Sequence, residues 1–301
     1  MPEECDNDLE IAGADDQQAL EWMAVLAAQR INYRLARTAS VWQIFVPPGQ
    51  AAEAREEIAA YEEDERRRAV RPAARPSPDM PVHRTWSPVW VAAFVLAFYA
   101  WLGPYDPGHP LLRQGASDPR AILAGGEWWR VITALTIHGD EAHLAGNLAA
   151  LLFFGWGVCR VFGGGLGWAM ILCAGAAGNA AAAWLKTPAT ISFGASTACF
   201  GALGIMAIHQ AVTVLRRQGL SWSPWNRGWI PLGAGFSLLT IMGTGPQSDL
   251  AAHLSGFAGG CIVGLAGSLP RSAGLPPWRQ RVLQMFCLAV VMTAWRMAMR
   301  R

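Results

Sequence analysis

The feature that most constrains this chain is a run without Asp or Glu between residues 142 and 215. Arg160 and Lys186 are its only Lys or Arg residues, and most of the rest is Ala, Gly, Leu and aromatic. Because a soluble domain carries about one charged residue in four, such a run does not suit a surface that faces water. It predicts instead several helices that cross a lipid bilayer.

Charge is concentrated at the start of the chain. The segment up to Arg84 holds 16 of the 22 acidic residues and 10 of the 24 Lys and Arg residues. Its patterns predict a small cytoplasmic α/β domain at 1–68, in the order helix, strand, strand, helix, and a Pro/Arg-rich linker at 69–86. The acidic N-terminus does not resemble a secretory signal peptide. The net charge of +2 gives no indication of nucleic-acid binding.

Six apolar segments follow, and together they predict an all-α polytopic membrane bundle with six transmembrane helices. The segments are 88–103, 142–161, 167–184, 195–215, 229–243 and 250–269. Lys and Arg favour cytoplasmic loops, and six crossings place Arg160, Arg216, Arg217 and Arg271 on the side of the arginine-rich linker. The pattern therefore predicts a cytoplasmic N-terminus, a membrane domain at 87–270 and a multi-pass protein of a bacterial inner membrane.

The C-terminal extension, 271–301, contains one more apolar segment at 282–298. Gln284 and Arg296 interrupt this segment. A seventh crossing would place Arg296 and the two terminal arginines outside, against the charge distribution of the other loops. Two interpretations stay open, a seventh transmembrane helix and a helix on the cytoplasmic surface.

Four polar residues on three predicted spans share one depth in the bilayer. His143 and Asn147 lie in the first turns of the second span, Ser196 begins the fourth, and His253 lies near the start of the sixth. All three spans run in the same direction, so each residue lies within about 10 Å of the outer end of its span. Polar side chains are costly inside a bilayer and mark functional sites there.

These residue types suit acyl transfer. A serine hydroxyl becomes a nucleophile when a base accepts its proton, and His253 is the candidate base for Ser196. His143 and Asn147 are four residues apart and share a helix face, from which their N–H groups suit an oxyanion. Gly256 and Gly260 follow the base at one-turn spacing, which lets two membrane helices approach closely. No metal-site spacing and no cofactor motif is recognised.

The same residues resemble the motifs of the rhomboid family of intramembrane serine proteases. "HGDEAHLAGN" has the family's His-x4-His-x3-Asn spacing, "GAS" places Ser196 at the nucleophile, and "AHLSGFAGG" matches Ala-His-x2-Gly-x3-Gly. "EWWR", at 127–130, resembles the Trp-Arg element of the family's first loop. Phe200 matches an aromatic position that packs on the catalytic histidine.

The resemblance implies a six-helix bundle that holds a Ser196–His253 dyad without a catalytic aspartate. His143, Asn147 and main-chain N–H groups near the serine would form the oxyanion hole, and Gly194 would let the backbone turn into it. The implied activity is endopeptidase cleavage of single-span membrane proteins near the outer end of their helix. The implied partners are transmembrane protein substrates and membrane lipid, without nucleic acid, metal or cofactor.

Two positions depart from the family's pattern. Thr197 stands where the family usually has a glycine, and Cys159 is the nearest counterpart of a glutamate common near the end of the second span. Thr197 leaves open a rhomboid-like protein that binds membrane helices without cutting them. A transporter is the other alternative, although no repeated halves are visible. The substrate, the role of the N-terminal domain and the oligomeric state stay open.

Overall fold

The computed structural model describes residues 8–38, 41–70, 83–186, 190–218, 229–243, 248–268 and 274–301. The chain divides into two compact units, Met1–Pro76 and Ser77–Arg301. Residues 71–82, which form most of the predicted linker, lie outside the described residues. So do residues 269–273, which contain the predicted end of the membrane domain.

The first unit packs two helices against a three-stranded antiparallel sheet. Its elements are β1 (Leu9–Ala14), α1 (Asp16–Ala28), β2 (Arg34–Thr38), β3 (Val41–Val46) and α2 (Ala51–Val70). β3 is the central strand, in the order β1-β3-β2. Its alternate residues Ile44 and Val46 are fully buried in a core with Leu26 of α1 and Ile58 of α2, as the two-residue period of a strand predicts.

The predicted order of this unit omitted β1, which is a correction to the sequence analysis. The sequence of β1, LEIAGA, contains Ala and Gly, which are poor strand formers. The segment becomes a strand because it pairs with β3, from Leu9 opposite Val46 to Ala14 opposite Trp42. This long-range pairing is invisible to a local pattern.

The second unit is a bundle of helices. Its helices are α3 (Ser87–Leu102), α4 (Pro110–Gly115), α5 (Pro119–Leu123), α6 (Arg130–Thr133), α7 (Glu141–Phe162), α8 (Gly164–Leu185), α9 (Ser196–Gln218), α10 (Ile230–Gly243), α11 (Leu250–Gly267) and α12 (Pro277–Ala298). Among the described residues, five of them (α7, α8, α9, α11 and α12) are long and apolar enough to cross a membrane. A polytopic helical membrane protein with a small α/β unit is therefore confirmed in outline.

The predicted first and fifth spans form shorter helices. α3 has 16 residues and α10 has 14. At about 1.5 Å per residue, α3 is about 24 Å long, less than the roughly 30 Å hydrocarbon core of a bilayer. α3 ends after Leu102 because Gly103, with a φ of 79°, and then Pro104 turn the chain away. Four of the six predicted spans are therefore full-length helices (α7, α8, α9 and α11) and two are shorter (α3 and α10). The fifth full-length helix, α12, was not among the six.

α12 lies lengthwise along the bundle rather than across one end of it. Near its start, the side chain of Gln280 accepts hydrogen bonds from the N–H groups of Gly165 and Leu166 in α8. Near its end, the indole of Trp295 donates to Thr136 Oγ1 at 3.0 Å. These two contacts are about 22 Å apart along the helix. This packing favours the transmembrane interpretation of α12 over the surface interpretation.

Candidate active site

The helices that carry the predicted nucleophile and base, α9 and α11, pack with their backbones in contact. A Cβ added to Gly260 would lie 2.1 Å from the carbonyl oxygen of Gly201, and one added to Gly256 would lie 2.3 Å from that of Thr197. No side chain fits at these separations. Glycine at both positions therefore permits the small-residue helix contact that the sequence predicts.

This packing brings Ser196 and His253 together. Ser196 is the first residue of α9, and His253 lies in the first turn of α11. The distance from His253 Nε2 to Ser196 Oγ is 2.9 Å. Phe200 lies one turn after the serine and packs on the imidazole, with the ring centroids 4.5 Å apart. The imidazole is buried and the serine is partly exposed, so the hydroxyl is accessible while the ring is held by its neighbours.

Gly194 turns the chain into α9 beside two polar side chains of α7. Its φ of 125° is one that glycine adopts readily and other residues rarely do. A Cβ there would lie 2.7 Å from His143 Nε2 and 3.4 Å from Asn147 Nδ2. Asn147 is buried, and its Nδ2 has no hydrogen-bond partner among the described residues. Since an unpaired buried donor is unfavourable, this amide suits an oxygen of a bound ligand.

His138 supports the backbone in front of the serine. It lies in the loop before α7, is 1% exposed, and accepts a hydrogen bond at Nε2 from the N–H of Ala195, 3.4 Å away. Burial, assisted by the neighbouring His143, lowers the pKa of His138 to about 4. The ring is therefore neutral at pH 7 and keeps the lone pair that this hydrogen bond needs.

Thr197 packs between α8 and α11. It is 3% exposed, and its methyl carbon Cγ2 would lie 2.8 Å from a Cβ added to Gly178 of α8 and 3.0 Å from one added to Gly256. The threonine side chain thus occupies space that two glycines leave free between α8, α9 and α11. Thr197 stands where the family usually has a glycine, and Gly178 and Gly256 leave room for its larger side chain.

Sequence reasoning missed a buried ion pair at the same end of the bundle. Lys186, which follows α8, donates hydrogen bonds to Asp249 Oδ2 and to Ser192 Oγ. Asp249 is the N-cap of α11 and also accepts a hydrogen bond from the N–H of Ala252 at 3.0 Å. The pair therefore ties the start of α11, four residues before His253, to the segment that leads into α9.

The carboxylate of this ion pair is stabilised in its charged form. The Lys186 side chain is 7% exposed and that of Asp249 is 23% exposed. Burial raises the pKa of Asp249, but the hydrogen bonds from Lys186 and Ser192 outweigh it and hold the pKa below its usual range. The signals in the sequence were an isolated lysine in the charge-poor run and an Asp directly before an apolar helix, where an N-cap is expected.

The Trp-Arg element braces the loop between α3 and α7. Arg130 is buried, and its Nε donates to Glu127 at 2.7 Å. Its Nη1 donates to the carbonyl oxygens of Arg113, at 2.7 Å, and Ala116, at 2.8 Å. These bonds are internal to the loop, so Arg130 holds the loop together and takes no part in the Ser196–His253 pair.

Known proteins are similar to this chain over a range that contains the candidate site. The model of the Rhomboid domain matches residues 125–269, a range that contains all eight predicted site residues. The Rhomboid protease GluP of Bacillus subtilis (strain 168) is 29% identical over 209 residues, which cover 68% of this chain and 39% of that protein.

Two plant proteins show a similar degree of likeness. RHOMBOID-like protein 4 of Arabidopsis thaliana is 30% identical over 157 residues, or 51% of this chain and 38% of that protein. RHOMBOID-like protein 5 of the same plant is 27% identical over 162 residues, or 52% of this chain and 50% of that protein. The matched part of the chain thus spans half or less of the length of these relatives.

Proposed function

The chain belongs to the rhomboid family, and on that premise we propose that it is an intramembrane serine endopeptidase. Ser196 is the nucleophile and His253 is the general base. The observation that carries the proposal is the 2.9 Å distance between Ser196 Oγ and His253 Nε2. The buried Nδ2 of Asn147, which has no hydrogen-bond partner in the described part of the chain and lies next to Gly194, adds the donor that an acyl-transfer site needs.

The reaction follows from these positions. Ser196 Oγ attacks the peptide carbonyl carbon while His253 Nε2 accepts the hydroxyl proton. His143, Asn147 and main-chain N–H groups near the serine stabilise the negative oxygen of the tetrahedral intermediate. When the intermediate collapses, the C–N bond breaks and His253 gives its proton to the leaving amine. A water molecule, deprotonated by the same imidazole, then hydrolyses the acyl-enzyme and regenerates Ser196.

Three glycines and one phenylalanine support this chemistry. Gly256 and Gly260 allow the helix contact on which the short Ser–His distance depends. Gly194 gives the turn that places the backbone before the serine against His143. Phe200 packs on the imidazole and orients it.

The substrates are single-span membrane proteins, cut near the outer end of their transmembrane helix. The proposal rests on the position of Ser196, His143 and His253 in the first turns of three apolar helices. The distribution of arginines supports a cytoplasmic N-terminus and, for such a protein, a bacterial inner membrane. On this proposal α3 and α10 cross the bilayer as shorter helices, and α12 is a seventh crossing.

A second candidate function is the binding of membrane helices without cleavage. The substitution of the family's glycine by Thr197 raised this alternative. The methyl group of the threonine has room beside Gly178 and Gly256, which favours the protease over this alternative.

Cleavage of a single-span reporter protein in proteoliposomes tests the proposal. We expect the wild-type chain to cut within the outer third of the reporter's helix, as determined by mass spectrometry of the products. Ser196→Ala and His253→Ala are each expected to lower the rate by roughly 10³-fold or more. His209→Ala is the matched control, because His209 hydrogen-bonds Ser268 away from the site and its loss leaves the dyad intact.

Two results would count against proteolysis. One is an uncut reporter that still co-purifies with the wild-type chain, which would support the helix-binding alternative. The other is cleavage by Ser196→Ala at the wild-type rate, which would show that a different nucleophile or a contaminating protease is responsible.

A further inference from the structure

A cleft lies between α3 and α12, and none of the eight predicted site residues lines it. Its volume is about 470 Å³. Val91 and Phe94 of α3 form one wall, Leu288 and Val291 of α12 form the other, and Ile171 of α8 contributes to the floor. Nearly all of the lining is apolar. The cleft is independent of the proposed protease chemistry.

The cleft is closed at both ends but open at the side. At one end, the rings of Phe98 and Trp295 meet with their centroids 5.0 Å apart. At the other end, the side chains of Ser87 and Gln284 both lie within 3 Å of the Cβ position of Gly164. Between these ends, Trp90 and Met285 are mostly exposed, so the cleft faces the lipid in a bilayer.

The dimensions of the cleft indicate its occupant. From Gln284 to Trp295 α12 rises about 16 Å, half of the roughly 30 Å hydrocarbon core and therefore the depth of one leaflet. An apolar cavity of about 150 Å³ holds the six carbons of benzene, so about 25 Å³ per carbon gives room for about 18 carbons. A transmembrane helix, with a diameter of about 10 Å, is too wide for this space.

We propose that the α3–α12 cleft binds one acyl chain of a membrane phospholipid. Water does not fill an apolar cavity of this kind, and an empty cleft would forfeit the dispersion contacts of its lining. An acyl chain that enters from the side restores those contacts along α3 and α12. The acyl chain would also pack against Ala195 and Ala198, at the start of α9.

The test is photo-crosslinking of the full chain in nanodiscs made with a phosphatidylcholine that carries a diazirine on one acyl chain. Tandem mass spectrometry then maps the labelled residues. We expect Val91, Leu288 and Val291 to be labelled roughly tenfold more than Phe286 and Met292 of α12, which are exposed but outside the cleft. Equal labelling of the two groups would show surface lipid only and overturn the proposal.

Variants that fill the cleft provide a second measurement. The combination of Val91→Trp and Leu288→Trp removes room for several methylene groups, so the cleft label is expected to fall by roughly tenfold. Met292→Trp is the matched control and should leave the cleft label unchanged. Undiminished labelling of Val291 in a folded double variant would overturn the proposal. If the double variant does not fold, the wild-type map alone decides.

Discussion

Two helix pairs of the second unit, α9–α11 and α3–α12, differ in what lies between them. In the first pair a glycine faces a carbonyl oxygen, as at Gly260 and Gly201, and no side chain separates the backbones. In the second pair a 470 Å³ apolar cleft separates the helices over much of their length. Both pairs are apolar, so hydrophobicity alone does not explain the difference. Glycines on the facing surfaces of α9 and α11 permit the backbone contact of the first pair.

The difference separates two requirements of a membrane enzyme. A hydrogen bond between side chains on two helices needs both backbones held to within a fraction of an ångström, and backbone contact provides that. Two helices that carry no catalytic residues do not need backbone contact, because lipid chains can fill the space between them. The following predictions begin with the α9–α11 contact itself and continue with the ion pair, His138 and Thr197 near it.

The largest effect is expected from Gly260→Val. The added Cβ would lie 2.1 Å from the carbonyl oxygen of Gly201, which is backbone and cannot move aside, so α11 must shift. A displacement of about 1 Å at the dyad lowers the cleavage rate by roughly 100-fold. Reporter cleavage and the melting temperature in detergent measure the change. Gly146→Ala is the control, since nothing lies within 4 Å of the added Cβ. A wild-type rate for Gly260→Val would show that the close contact is not required.

Substitutions of the two members of the ion pair at the start of α11 are expected to lower the free energy of unfolding by different amounts. Asp249→Ala leaves the buried Lys186 ammonium without its partner, which lowers the free energy of unfolding by about 3 kcal/mol. Lys186→Met removes the buried charge itself and leaves a carboxylate that is 23% exposed, so it is expected to destabilise less. Denaturant titration of both variants and of the double variant measures this order. A larger loss for Lys186→Met would contradict the burial argument.

Acid is expected to destabilise the unit through His138. Its pKa falls from 6.5 to about 4 in the folded protein, so the unfolded chain takes up the proton first. Stability is therefore complete above about pH 6.5 and decreases toward about pH 4, by up to about 3 kcal/mol. Melting temperatures between pH 7 and pH 4 reveal the slope. His138→Gln keeps an acceptor for Ala195 without titrating and should flatten the slope. Equal slopes in the two proteins would exclude His138 as the cause.

The smallest effect is expected from Thr197→Gly. The change removes a buried methyl group from the space beside Gly178 and Gly256 and places a poor helix former in α9, at a cost of about 2 kcal/mol. Because the methyl group is accommodated beside these two glycines, the cleavage rate is expected to stay within about threefold. A much faster variant would mean that Thr197 does crowd the nucleophile.

The sequence was most informative where a pattern is local. The charge-poor run predicted α7, α8 and α9 to within a few residues, and the spacing of His143 and Asn147 predicted their shared face. The helical membrane unit is confirmed and the likeness to the Rhomboid domain extends over residues 125–269, whereas the roles of Ser196 and His253 stay predictions. Gly256 and Gly260 were predicted to allow close packing, because small residues one turn apart have few other uses in a membrane helix.

The features that the sequence did not reveal depend on distant parts of the chain. Lys186 pairs with Asp249, 63 positions away, and no local pattern matches a lysine to its carboxylate. β1 exists because β3 lies beside it. The cleft arises from the relative placement of α3 and α12, and the apolar sequences of the two helices are equally compatible with direct contact.

The most direct test of Ser196 activation is labelling of the purified chain with a fluorophosphonate, which reacts with activated serines. We predict that the wild-type chain is labelled at Ser196 and that Ser196→Ala and His253→Ala are not, because the imidazole 2.9 Å from the hydroxyl is what activates it. Absence of label on the wild-type chain, under conditions that label an active rhomboid protease, would contradict the activated dyad. Equal labelling of His253→Ala would contradict the role of the histidine.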